Sequence, residues 1–156
     1  MLDNAQIKNA DELEFAVFCI ENIAIRLEKN AEDIFKALTE QSDILSGYII
    51  PEHEMLHTQS KDSIVDEIIA VMKERSIVLS ASQRRKTNIT ASPILLQKKY
   101  ARIIELFAQK ENLSLDDALS FFYHSEIYRL ISEGVSDLHC MSDEYLTEEL
   151  ISEYKK

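Results

Sequence analysis

The sequence predicts an all-α fold: two tandem, related three-helix units packed together with pseudo-symmetry and joined by a basic connector. Three observations predict it. Apolar residues recur at helical spacing, only two Gly and two Pro occur in 156 residues, and one stretch of sequence appears twice. So little Gly leaves few positions for tight hairpin turns, and most of the remaining residues are good helix formers. With 46% hydrophobic residues the chain can bury a core, which argues against disordered, collagen-like or loop-rich β classes.

The duplication is clearest where Leu56-His57-Thr58-Gln59-Ser60 and the following Ile64, Glu67 and Ile68 face Leu138-His139-Cys140-Met141-Ser142 and Leu146, Glu149 and Leu150, at an offset of 82. Upstream the offset becomes 84: Ile20, Glu21, Ala24 and Arg26 face Ile104, Glu105, Ala108 and Lys110, and Glu32-Asp33 face Asp116-Asp117. The drift requires a two-residue deletion in the second copy, in the region matching residues 47–55 of the first, which reads as a loop.

In chain order, Phe15, Cys19, Ile20, Ile23 and Leu27 form a 3.6-residue stripe and predict a long first helix. Asn30, followed by Asp33, supplies a cap and an acid at the positive end of a short second helix. Tyr48-Ile49-Ile50-Pro51 reads as an apolar turn, and Ser60 caps a last helix with Val65, Ile68, Ile69 and Met72 on its buried side. These elements make a first unit over residues 11–75. Residues 76–91, rich in Ser, Thr, Arg and Lys, form the connector, in which Ile77-Val78-Leu79 either continues the helix or runs extended. The second unit covers residues 92–154. Ser92-Pro93 opens its long helix, Tyr100, Ile103, Ile104 and Phe107 give the stripe, and Ser114 with Asp117 starts the next helix. Gly134 stops a helix around residues 125–131, and Ser142 caps a final one that buries Leu146 and Leu150. A unit of about 60 residues has a marginal core, so the copies should bury their apolar faces against each other.

The net charge is −11, unevenly spread. Residues 14–74 carry 13 acids against 5 bases and residues 98–154 carry 12 against 5, whereas residues 75–97 hold Arg75, Arg84, Arg85 and Lys86 and no acid. Acidic bodies repel phosphate, so nucleic acid is disfavoured as a general partner and a basic protein is favoured. Cys19 and Cys140 cannot build a disulfide framework and read as buried free thiols. Residues 1–4 lack the basic and apolar pattern of a signal peptide, and no apolar run nears the roughly 20 residues that span a bilayer. The expectation is a cytoplasmic protein.

His53-Glu54-Met55-Leu56-His57 is a literal H-E-x-x-H, which on a helix would offer two imidazoles to zinc and a carboxylate to its water. Gly47 and Pro51 before it and Ser60 after it leave little room for that helix. Ser63 stands where a third His would fall, and the second copy retains only His139. His57 and His139, both in Leu-His-x-x-Ser, suit a structural role in which the Leu anchors the turn and the imidazole bonds a backbone group. As a surface pair they would contact a partner. Phe121-Phe122-Tyr123-His124 and Tyr128 form an aromatic cluster that is mainly core and could include an anchor. The acids Asp143, Glu144, Glu148, Glu149 and Glu153 suit a basic partner. No Gly-rich phosphate loop, Gly-x-Ser-x-Gly or Cys-x-x-Cys occurs.

The strings Glu14-Phe15-Ala16-Val17-Phe18-Cys19-Ile20-Glu21-Asn22-Ile23-Ala24, Tyr48-Ile49-Ile50-Pro51, Leu56-His57-Thr58-Gln59 and Ile64-Val65-Asp66-Glu67-Ile68-Ile69 resemble a bacterial domain family of unknown function. Tyr123-His124-Ser125, Leu130-Ile131-Ser132-Glu133-Gly134 and Ser136-Asp137-Leu138-His139-Cys140-Met141-Ser142-Asp143 resemble a related second form of it. Members resemble accessory proteins encoded near predicted ADP-ribosyltransferase-like toxins. The resemblance implies an antitoxin or regulator, and it implies no metal.

The expectation is therefore a non-enzymatic protein-binding module, an antitoxin-like or regulatory partner of a toxin enzyme with a basic cleft. Its candidate contact residues are Tyr48, Pro51, His57, Tyr128, His139, Glu144 and Glu148, with no catalytic residue, metal or cofactor. Two alternatives stand beside it: a zinc-dependent hydrolase through His53, Glu54 and His57, and a DNA-binding regulator through Arg84, Arg85 and Lys86.

Overall fold

The computed structural model describes residues 7–90 and 92–156. Residues 1–4, read above for a leader, and Ala91, the end of the connector, lie outside the described residues. Among the described residues the regular structure is entirely helical: α1 (Ala10–Leu27), α2 (Ala31–Thr39), a π-turn (Leu45–Ile49), α3 (His53–Leu56), α4 (Lys61–Glu74), α5 (Pro93–Glu111), α6 (Leu115–His124), α7 (Glu126–Glu133), a 3₁₀ segment (Val135–Cys140) and α8 (Asp143–Tyr154).

The two longest helices, α1 and α5, pack on each other at the centre. Helices α2 and α4 lie on α1, α6 and α8 lie on α5, and α2 also meets α6. The stripes account for this: Phe15, Cys19, Ile20 and Ile23 of α1 and Tyr100, Ile103, Ile104 and Phe107 of α5 are all buried. Ile64, Val65, Ile68 and Met72 of α4, and Leu146 and Leu150 of α8, close the core from outside, while Ile69 is only partly buried.

Helix ends follow the local sequence. The side chains of Ser60, Ser114, Ser125 and Ser142 accept from backbone N–H groups in the first turns of α4, α6, α7 and α8. Two other expected caps behave differently. Ser92 and Asn30 occupy the cap positions of α5 and α2 without side-chain capping bonds. The Asn30 amide instead serves the connector, accepting from Arg85 N at 2.7 Å and donating to Gln83 O at 3.3 Å.

Several features occur at the repeat offsets. α1 ends at Glu28 (φ 57°) and α5 at Asn112 (φ 57°), both left-handed, with Lys29 N on Ala24 O and Leu113 N on Ala108 O at 2.9 Å each. Arg26 of α1 pairs with Asp62 and Asp66 of α4, and Lys110 of α5 pairs with Glu148 of α8 at 2.9 Å. The two halves of the sequence also differ. The π-turn and single-turn α3 precede α4, whereas the eight-residue α7 and a 3₁₀ segment precede α8.

Left-handed Ser76 (φ 56°) ends α4, and Ile77-Val78-Leu79 runs without regular structure, which decides between the two readings of that stretch. Cys19 is buried as expected, whereas Cys140 is exposed because the 3₁₀ segment that carries it lies on the surface.

Candidate functional site

A groove of about 480 Å³ opens between the N-terminal half of α1, α3, the start of α4 and the start of α5. One wall is a row of rings. Phe18 and Phe15 stack with centroids 6.1 Å apart, His53 follows at 4.9 Å from Phe15, and His57 at 5.0 Å from His53. The helical turn of α3 brings the two imidazoles to one side. The opposite wall comes from α5 through Ile94, Gln97 and Lys98, and Gln59, Lys61 and Ile64 close one end. Lys98 pairs with Glu14 across the opening at 3.5 Å.

His57 Nδ1 lies 2.8 Å from His53 O and donates to that carbonyl. The H-E-x-x-H string thus forms one turn with both histidines on the groove, while Glu54 is exposed. Among the described residues no three His, Cys, Asp or Glu side chains are grouped to hold a metal ion.

The other candidate residues are scattered. Pro51 and His57 are exposed, and Tyr48 is half-buried with its hydroxyl donating to Glu67. Burial, reinforced by that carboxylate, pushes the Tyr48 phenol up to about 12. Tyr128 is buried at 2% exposure and faces the core, not a partner surface. His139 is half-buried and its Nδ1 meets no partner, unlike that of His57. Glu144 and Glu148 are exposed on α8. Among the described residues no hydrogen bond, ion pair or ring contact joins Tyr48, His139 and Glu144.

The segment between α4 and α5 is a strap pinned to α1, α2 and α7. Arg84 N donates to Glu28 O at 2.9 Å, and Asn88 N donates to Glu133 O at 3.1 Å. Arg85 lies between Glu32 of α2 and Glu133 of α7, with Nε 3.0 Å from Glu133 as an ion pair without hydrogen-bond alignment. Two of the three basic residues read above for DNA contact, Arg84 and Arg85, are turned toward the protein, and Lys86 is exposed.

Beneath the strap sits the residue that periodicity passed over. Glu21, on α1, is 4% exposed, and its Oε2 accepts the hydroxyls of Tyr123 (α6) and Tyr128 (α7), each at 2.9 Å. Burial raises the Glu21 carboxyl above the usual carboxylate range, and the two phenols and Arg84 offset part of that. The same burial, with Glu21 beside them, pushes the phenols of Tyr123, Tyr128 and Tyr100 up. Glu21 and Gln97 line a second cavity of about 100 Å³ under the strap, with Ile25, Arg84, Thr87, Ile89, Pro93, Leu96, Tyr100 and Ser132. The sequence held a signal for Glu21, an acid inside an apolar stripe between Ile20 and Ile23. Gln97 likewise shares the buried face of Tyr100, Ala101 and Ile104.

Residues 14–75 match the model of a family described as protein of unknown function (DUF3791). No curated protein and no solved structure matches the chain.

Proposed function

We propose, from the premise that residues 14–75 match a family of unknown function, that the chain is a non-enzymatic protein-binding module whose docking face is the groove on α1, α3, α4 and α5. The ring row Phe18–Phe15–His53–His57 carries this reading. Phe18 and His53 are half-buried and His57 is exposed, with Phe15 buried behind them, so three rings are open to contact at little entropic cost, and a groove of about 480 Å³ falls within the size range of binding clefts. The net charge of −11 favours a basic partner and speeds its encounter.

Under this reading the chain is antitoxin-like: it occupies the basic cleft of a bacterial toxin enzyme in the cytoplasm, where its free thiols stay reduced. The two halves descend from one duplicated unit. Support for that descent comes from the left-handed ends at Glu28 and Asn112, the caps Ser60 and Ser142, and the α1–α4 and α5–α8 ion pairs, all at the repeat offsets.

The test is co-expression of the full chain with the product of its neighbouring gene, comparing wild type with Phe18→Glu. A stoichiometric complex by size-exclusion chromatography that Phe18→Glu abolishes, while the variant melts as the wild type does, supports the proposal. A complex that survives Phe18→Glu, or no complex with any basic candidate, overturns it.

A further inference from the structure

The H-E-x-x-H string puts two imidazoles in the ring-lined groove, and their geometry suits a chelate. His57 N donates to His53 O at 2.9 Å, so α3 closes an α-helical turn and the two side chains leave it four positions apart on one side. Their ring centroids are 5.0 Å apart. Two imidazoles that share one ion at about 2.0–2.1 Å per nitrogen, at angles between square and tetrahedral, hold their centroids roughly 4.5–5.2 Å apart. The observed spacing falls inside that window.

The nitrogens are available as well. His57 Nδ1 donates to His53 O at 2.8 Å, which orients the ring and leaves Nε2 for an ion. A backbone carbonyl is a usual partner for the second nitrogen of a metal-bound histidine. The His53 ring touches Phe15 and His57 and makes no hydrogen bond among the described residues. The remaining histidines are placed differently. His124 has Ser120 O at 2.7 Å and Glu40 Oε2 at 3.1 Å against its two ring nitrogens. His139 has its Nδ1 buried and stands next to the exposed thiol of Cys140.

We infer that His53 and His57 form a two-imidazole site for a late first-row divalent ion, Ni²⁺, Cu²⁺ or Zn²⁺. Imidazole nitrogen selects these ions over Mg²⁺ and Ca²⁺, which take oxygen ligands. No third His, Cys, Asp or Glu is grouped with the pair among the described residues, and Glu54 lies outside the groove lining, so water fills the remaining positions. That donor set makes an exchangeable site with open coordination, neither a closed structural centre nor a hydrolytic one. Asp11 and Glu14 balance Lys61 and Lys98 around the groove, so no net charge opposes the ion. The site needs no partner protein and stands or falls apart from the docking reading.

The experiment titrates the full chain with Ni²⁺ and Zn²⁺ by calorimetry and follows the four imidazoles by NMR as Ni²⁺ is added. Saturable binding of one ion per chain is expected, with the His53 and His57 resonances broadening before those of His124 and His139. His53→Gln and His57→Gln should each weaken it at least about tenfold, because either removes half of the chelate. His57 is exposed, so its substitution serves if His53→Gln fails to fold. Acidification should weaken binding as protons compete for the nitrogens, and Mg²⁺ should not compete. Cys140→Ser should leave binding unchanged. Binding that survives His57→Gln, that disappears in Cys140→Ser, or that Mg²⁺ displaces overturns the inference, as does equal broadening of all four imidazoles.

Discussion

Glu21 and Tyr128 stand 107 positions apart in sequence and meet at 2.9 Å, the phenol of α7 donating to a buried carboxylate of α1. Tyr123 makes the same bond from the neighbouring helix. The acid comes from the first half of the chain and both donors from the second, so the network forms only when the halves are docked.

Glu21 sets a pH dependence whose sign follows from its raised carboxyl. On acidification the folded state takes up a proton before the unfolded state does. The Glu21 contribution is therefore most favourable below the unfolded value near 4.3 and is lost as pH rises through the folded value. Glu21→Gln keeps an acceptor for the phenols without the charge. It should be neutral or stabilising at pH 7 and should flatten the stability profile above pH 4, as read by urea denaturation at several pH values. Glu21→Leu strands both phenols and should cost about 2–4 kcal/mol.

Asp143 works in the opposite sense. Partial burial would raise its carboxyl, but Arg102 at 2.6 Å and Lys99 at 2.9 Å outweigh that and hold it below the usual range. Its stabilisation is present above the unfolded value near 3.9 and is lost as pH falls through the folded one. Asp143→Asn should cost about 1 kcal/mol at pH 7 and progressively less as pH falls below the unfolded value, measured by the same titration.

Arg85 ties the strap to α2 through Glu32 and to α7 through Glu133. Arg85→Met leaves two half-buried carboxylates without their cation and should lower stability by about 2 kcal/mol. Limited trypsin digestion gives a second readout, since cleavage after the exposed Lys86 should accelerate once the strap loosens. An unchanged cleavage rate would mean that Arg85 does not hold the strap.

Gly134 caps α7 at φ +76°, and a Cβ there would lie 3.1 Å from Ile89 Cγ1 on the strap. Gly134→Ala meets both the left-handed penalty and that close approach and should cost about 1–2 kcal/mol in chemical denaturation.

The helices were legible because their signals are local. The stripes at Phe15–Ile23 and Tyr100–Phe107, the caps Ser60, Ser114 and Ser142, and the stop at Gly134 each lie within a few residues of what they control. Asn30 shows where locality ends. The cap position was readable, but a donor 55 residues away took its side chain. The candidate sites fared by the same logic. The spacing of His53 and His57 put two rings on one side, as helical geometry demands, while the aromatic run at residues 121–124 gave no indication that Tyr123 and Tyr128 would be spent on a buried acid. The groove needed Ile94, Gln97 and Lys98 from α5, whose approach to α1 is a tertiary event.

The shared Glu21 network has a consequence for shorter chains. A polypeptide consisting of residues 14–75 alone would keep the acid and lose both phenols, exposing the apolar side of α1 that α5 now covers. In such a fragment the hydroxyls that satisfy Glu21 and the apolar cover of α1 would both have to come from another molecule.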